Sequence, residues 1–281
     1  MTYVLLNHDI TTRENVKIDM EDRGYNFGDG IYEVIPVYNT KTMAMEEHLN
    51  RFEESALKLE IQLPYDKETL KQLLEELKTK NNITNGIIYV QMTRGVSPRA
   101  HLYERNAVGL ITGFSREMPF PVEQKQTGIR AYVTEDIRWL RCDIKTINLL
   151  GNTMVKRKAT DHTCQEGIMH RNGTMTEGSS SNLFIVKDKL IYTHPVTNLI
   201  LNGITRQIVL KLAKENGYKV VEEAFTLQQL SNADEAFITS TTQEVTPVTK
   251  VVGDIETDIP VGSITKALQQ LFAEHVKNKT K

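Results

Sequence analysis

Apolar residues recur at helical spacing in some windows of the chain and alternate with polar ones in others. Over 46–60, Leu49, Phe52, Ala56 and Leu59 share one helical face, and over 66–80 Leu70, Leu73, Leu74 and Leu77 do the same. The spacing predicts further helices over 150–163, 203–217 and 261–277, the last with Val261, Ile264, Leu268, Leu271 and Val276 on one side. The first 45 residues read as strands, with "IYEVIPVYN" (31–39) rich in β-branched and aromatic types before a turn at Asn39-Thr40. Pro36 lies inside that run, has no N–H to give a ladder, and predicts an edge position or a bulge. Strands are predicted near 86–95, 107–114, 129–134, 218–224 and 234–240, with hairpins turning at 171–174 and 187–189. "REMPFPVEQKQTG" (116–128) is the best linker, with two prolines, charges and a closing glycine. The pattern thus predicts a small N-terminal domain over 1–118, a linker over 119–128, and a larger domain over 129–281 that carries Lys145. The class is α+β, with antiparallel-rich sheets, mainly meanders in the second half, and flanking helices.

Composition adjusts this picture little. The 281 residues are 40% hydrophobic and 25% charged, enough for two sizeable cores. A net charge of -2 argues against a general affinity for nucleic acid or an anionic membrane. No apolar stretch approaches a membrane span, and no basic segment precedes the first apolar run, so neither an anchor nor a signal peptide is expected. Cys142 and Cys164 make no disulfide framework and fit a reducing cytoplasm. His162 and Cys164 alone are too few for a metal site, and none is expected.

The common nucleotide and hydrolase signatures are absent. "GYNFGDG" (24–30) has the wrong glycine spacing for a dinucleotide fingerprint, and "EGSSSN" lacks the nucleophile-elbow frame. One lysine stands out. Lys145, in "RWLRCDIKTINLLGN" (138–152), sits among Trp139, Leu140, Ile144, Ile147, Leu149 and Leu150. Taking an ammonium out of water is costly. The window fits either a lysine with its stem buried and its head in water, or an amine kept neutral to attack a carbonyl. Glu177 ends a strand-like run in "TMTEGSSSN", where a carboxylate is either a solvated surface group or a partner for a ring nitrogen. "LNGITRQIV" (201–209) opens a helix with Gly203 and Thr205, which suits plain capping or an anion. "TSTTQE" (239–244) ends a strand with hydroxyls, and Arg51 lies in "EEHLNRF". A phosphorylated pyridine aldehyde would use all of these together.

Seven motifs carry a resemblance: "EDRGYNFGDGIYEV", "EEHLNRFEESA", "TRGVSPRAH", "RWLRCDIKTINLLGN", "TEGSSSNLF", "NLILNGITRQIV" and "FITSTTQEVTPV", in that order. With them the chain resembles the fold-type-IV pyridoxal-phosphate enzymes over essentially its whole length, and within these the D-amino acid aminotransferases. The resemblance implies a two-domain fold with pyridoxal 5'-phosphate between the domains, and amino transfer between D-amino acids and 2-oxo acids. It implies that Lys145 holds the cofactor and shuttles the proton, and that Glu177 keeps the pyridine nitrogen protonated. Arg51, Ile204, Thr205 and Thr241 would hold the phosphate, and Leu201 would pack on the ring. Tyr32, Arg99 and His101 would bind the substrate carboxylate, with Arg99 and His101 reaching the neighbouring subunit's site in a homodimer. The Arg-x-His pair favours the D-amino acid branch over the branched-chain aminotransferases and aminodeoxychorismate lyases. Pro36, close to Val34, leaves the side-chain preference open. A cofactor-free binding protein is the rival from another class. A lysine-only aldolase would leave Glu177 without a purpose.

Overall fold

The computed structural model describes residues 2–281, and these divide into two units. The first runs to Pro119 and also takes in Ile144–Leu149 and Lys279–Lys281. Its elements are β1 (Tyr3–Leu6), β2 (Asp9–Thr12), α1 (Arg23–Phe27), β3 (Gly30–Tyr38), β4 (Lys41–Thr42), α2 (Met45–Lys58), β5 (Ile61–Gln62), α3 (Lys67–Lys80), β6 (Gly86–Thr93), β7 (Ala107–Val108) and β8 (Leu110–Glu117). Among the described residues a six-stranded sheet, ordered β2-β1-β8-β6-β3-β4, is antiparallel throughout. The periodic stripes of the two long helices close its core. Leu49, Phe52 and Ala56 of α2 and Leu70, Leu74 and Leu77 of α3 join Ile31, Ile35, Ile88 and Val90.

Pro36 causes no bulge: β3 and β6 stay in register from Gly30 opposite Thr93 to Val37 opposite Gly86. Its carbonyl accepts from Met43 N (3.0 Å) on the other side, so its ring nitrogen also points away from β6 and no bond to β6 is lost. Further along the same outer edge the segment Ile144–Leu149 adds itself. Tyr32 N donates to Lys145 O (3.0 Å), and Ile147 N donates to Gly30 O (3.0 Å). This pairing puts Lys145 in the first unit, not in the C-terminal domain that the sequence pattern predicts. A local pattern does not say which distant strand edge a short apolar segment will join.

The second unit spans Phe120–Asp143 and Leu150–Asn278. It contains α4 (Val122–Thr127), β9 (Ile129–Glu135), α5 (Leu150–Asp161), β10 (Glu166–Arg171), β11 (Thr174–Gly178), β12 (Asn182–Lys187), β13 (Leu190–Thr193), α6 (Ile204–Glu215), β14 (Lys219–Val221), α7 (Leu227–Ser231), β15 (Glu235–Ser240), β16 (Glu244–Gly253) and β17 (Thr257–Asp258), with α8 (Ser263–Lys279) last. The sheet runs β11-β10-β9-β16-β15-β12-β13-β14, with β17 on β16. The two hairpins expected from the sequence turn through left-handed pairs, Asn172-Gly173 and Asp188-Lys189. Three pairings are parallel, β9 with β10, β9 with β16 and β13 with β14, so the unit is less purely a meander than the pattern predicts. The stretch expected as linker carries α4. Among the described residues no helix is long and apolar enough to cross a membrane.

Candidate active site

In the first unit Lys145 is fixed by its main chain. Its N–H donates to Ser55 Oγ (3.3 Å), and its carbonyl takes the Tyr32 bond. Its Nζ lies 4.3 Å from the centroid of the Tyr32 ring and makes no ion pair among the described residues. No carboxylate among the described residues holds the amine. Tyr32 is itself one of a row: it stacks on Tyr89 at 5.6 Å, and Tyr89 on Phe114 at 4.9 Å.

Glu33 points the other way, with Ile31 and Ile35, and is 0% exposed. The buried stripe of α2 brings His48 and Arg51 to it. Arg51 Nε donates to Oε1 (2.6 Å) and Nη2 to Oε2 (2.9 Å), while His48 Nδ1 is 2.7 Å from Oε2. Burial alone would raise the Glu33 carboxyl, but Arg51 and His48 outweigh it and hold it far below the usual carboxylate range. Burial lowers His48 despite the pull of Glu33. The two directions agree if Arg51 supplies the balancing charge and a neutral His48 donates its Nδ1 proton, since a carboxylate only accepts. Arg51, expected at the phosphate, therefore has its orientation set by Glu33. Arg99 and His101 lie on the exposed segment after β6, and Arg99 has no carboxylate partner among the described residues.

The second unit holds the acid. Glu177, 4% exposed, lies near the end of β11. Its Oε1 accepts from Arg138 Nη1 (2.6 Å), and its Oε2 from Asn182 Nδ2 (3.0 Å) and Leu201 N (3.0 Å). Burial pushes the carboxyl up to about 6, against the pull of Arg138. Arg138 is gripped in turn by Asp136, through Nε (2.9 Å) and Nη2 (2.8 Å). The turn after Glu177 is pinned from behind: the hydroxyls of Ser179, Ser180 and Ser181 all donate to buried Glu166. The start of α6 has no side-chain cap. A Cβ at Gly203 would come within 2.2 Å of Asn182 Oδ1, so the helix entry needs glycine. The N–H groups of Ile204 and Thr205 have no intrahelical partner and sit at the positive end of the dipole. Thr241 lies in the turn between β15 and β16.

The family model described as amino-transferase class IV matches residues 30–251, which include Lys145, Glu177, the start of α6 and Thr241. The chain belongs to the aminotransferase class IV family. A Listeria monocytogenes protein (serotype 1/2a, strain 10403S) named D-alanine aminotransferase is 47% identical over 276 residues, 97% of this chain and 96% of that one. Among solved structures, a branched-chain aminotransferase from Thermoproteus uzoniensis with norvaline matches at TM-score 0.91 and 26% identity, covering 100% of this chain and 96% of that chain. The T.th. branched-chain amino acid aminotransferase with pyridoxamine 5'-phosphate matches at TM-score 0.90 and 25% identity, covering 99% and 95%.

Sequence reasoning missed four polar residues of this class IV aminotransferase: Glu33, His48, Arg138 and Glu166. Two of them carry a usable signal, since Glu33 falls in step with Ile31 and Ile35, and His48 falls beside Leu49 and Phe52. Cys142, three residues before Lys145, is a packed thiol. Burial pushes it up to about 11, and its Sγ donates to Trp139 O (3.2 Å).

Proposed function

We propose that this class IV aminotransferase moves the amino group between D-amino acids and 2-oxo acids, turning D-alanine and 2-oxoglutarate into pyruvate and D-glutamate. The observation that carries this reading is the 47% identity, over 97% of this chain, to a protein named D-alanine aminotransferase. The cofactor is pyridoxal 5'-phosphate, in keeping with the family and with the structural neighbour that holds pyridoxamine 5'-phosphate. The residues present fit such a group: an amine free of ion pairs at Lys145, a buried acid at Glu177, and an uncapped helix start at Ile204. When bound, the cofactor supplies an electrophilic carbon for amines and a ring that accepts the electron pair left at the substrate Cα.

Lys145 would hold the cofactor and then, as a free amine, take the Cα proton and return it. Glu177 would hold the proton at the ring nitrogen, kept in place by Arg138, Asn182 and Leu201 N. Arg51, Ile204, Thr205 and Thr241 would hold the phosphate, and Leu201 would pack on the ring. Tyr32, Arg99 and His101 would bind the substrate carboxylate, the last two serving the neighbouring subunit of a homodimer. Two free, buried cysteines agree with a cytoplasmic setting.

The decisive experiment is a visible absorption spectrum of the holoenzyme with D-alanine and, separately, with L-alanine. Bleaching by the D-form alone supports the reading. The likeness to branched-chain aminotransferase structures favours one alternative, an L-specific enzyme, and bleaching by the L-form alone would establish it. Arg99→Ala should raise the Michaelis constant for D-alanine about tenfold to a hundredfold, the worth of a charge-assisted contact, with the visible band intact. Mixing inactive Lys145→Ala chains with Arg99→Ala chains should restore turnover at low D-alanine through hybrid dimers that hold one complete site. No recovery would mean that Arg99 acts within its own subunit.

Glu177 also predicts a pH dependence. Between pH 7 and 5 its carboxyl, at about 6, takes up a proton and loses the charge that balances a protonated pyridine. Titration of apoprotein with pyridoxal phosphate should show affinity falling through that window, and Glu177→Gln should flatten this part of the curve. For the apoprotein's own stability the sign reverses. A raised carboxyl stabilises most below the ordinary value of 4.5, and that contribution is lost as pH rises through about 6.

A further inference from the structure

The helix α1 carries Arg23 at its first position and Phe27 at its last, four residues apart and on one face. Both reach the segment that bears Arg99 and His101. The Arg23 guanidinium carbon lies 4.6 Å from the Phe27 ring centroid, and that of Arg99 lies 5.0 Å from it. The His101 ring centroid is 5.8 Å from the same ring, tilted by 52°. Arg23 Nη1 also donates to Ala100 O (2.6 Å), the carbonyl between the two. Asp29 accepts from Arg23 Nε (2.9 Å) and from Arg94 Nε (2.8 Å) and Nη2 (3.0 Å), so it fixes the start of the segment as well. Gly28, left-handed at φ 66°, ends α1 and lets the chain turn from Phe27 into Asp29 and β3.

We propose that Phe27 is a positioning residue, which holds Arg99 and His101 for the substrate carboxylate by presenting one ring to both. The inference rests on the reading of those two residues given above. Arg99 and His101 are exposed, with no side-chain hydrogen bond or ion pair among the described residues to select a rotamer. An exposed arginine left free loses rotamer entropy when it grips an anion. The electron-rich ring face attracts a guanidinium through its plane and leaves the N–H edges for a carboxylate. Arg23 shares Asp29 with Arg94, whereas Arg99 has no carboxylate partner among the described residues, so of the two guanidinium groups at the ring Arg99 is the one without an acid to hold it.

The test compares Phe27→Leu, Phe27→Tyr and Arg99→Ala holoenzymes by steady-state kinetics with D-alanine and by spectral titration with propionate, an unreactive carboxylate. Phe27→Leu keeps an apolar group but removes the ring. It should raise both the Michaelis constant and the propionate dissociation constant, each by about twofold to fivefold, and lower kcat less than that. Phe27→Tyr keeps the ring and should behave as wild type in both. The inference is overturned if Phe27→Leu moves neither constant, or if Phe27→Tyr is as impaired as Phe27→Leu, because packing alone would then explain the site. If Arg99→Ala also leaves both constants unmoved, the assignment of the carboxylate site falls and the inference falls with it. A shift in Arg99→Ala without one in Phe27→Leu removes the inference alone.

Discussion

Lys145→Ala is expected to abolish the visible band of the bound cofactor and to cost about a thousandfold or more in turnover, since a positioned acid–base group alone contributes about 10²–10⁴. The structure makes this a clean test of chemistry. The bonds that hold the segment, Tyr32 N to Lys145 O and Lys145 N to Ser55 Oγ, are made by main-chain atoms of residue 145 and survive the substitution. The side chain gives up a contact with the Tyr32 ring and no ion pair. Thermal unfolding of the apoprotein should therefore change little while activity collapses. A folded variant that turns over D-alanine at the wild-type rate would end the case for Lys145.

Glu33→Ala should act on stability instead. Removing one member of a buried ion pair leaves the partner's charge desolvated and costs about 3–5 kcal/mol. Glu33 is wholly buried and accepts two bonds from Arg51 and one from His48, so it falls in that class. Urea unfolding of the apoprotein at pH 7 measures the loss, and Glu33→Gln, which keeps the shape and one acceptor, should lose less. Acid provides a second check. A carboxyl held below its usual range contributes fully above its unfolded value, near 4.5, and less as pH falls below that. The gap between wild type and Glu33→Ala should narrow with acidification. An equal gap at pH 7 and at about pH 3 would mean that lost packing, not lost charge, sets the cost.

Helical periodicity gives α2, α3, α5, α6 and α8 to within two residues at each end, because each buries a stripe that the sequence displays. Strand partners are less legible. Nothing local to β9 announces parallel neighbours on both sides, since pairing joins segments far apart in the chain. The site divides in the same way. Lys145, Glu177 and the α6 entry stand out only as members of an ordered set of motifs, and each alone has an ordinary structural reading. Arg138 is invisible for another reason. It follows Asp136 and Ile137 in a stretch without period, and its grip on Glu177 spans 39 positions. Glu166 opens β10 as any strand-end carboxylate might, and only the turn that returns to it makes it an acceptor for three serines.

The segment Ile144–Leu149 belongs to one unit while the chain on both sides of it belongs to the other. Synthesis runs from the N-terminus, so the chain up to Pro119 leaves the ribosome with the outer edge of β3 still bare at Gly30–Tyr32, beyond the part that β4 covers. That edge offers unpaired backbone groups, the kind of template on which chains stick to one another. It is covered only when Lys145 and its neighbours arrive, and by then the second unit has begun to be made. A fragment cut at Pro119 would keep the helices and most of the core of the first unit but not its cover. The residue proposed for the chemistry is thus carried on the strip of chain that finishes the earlier fold, and the nascent protein cannot complete its N-terminal half before Lys145 has been made.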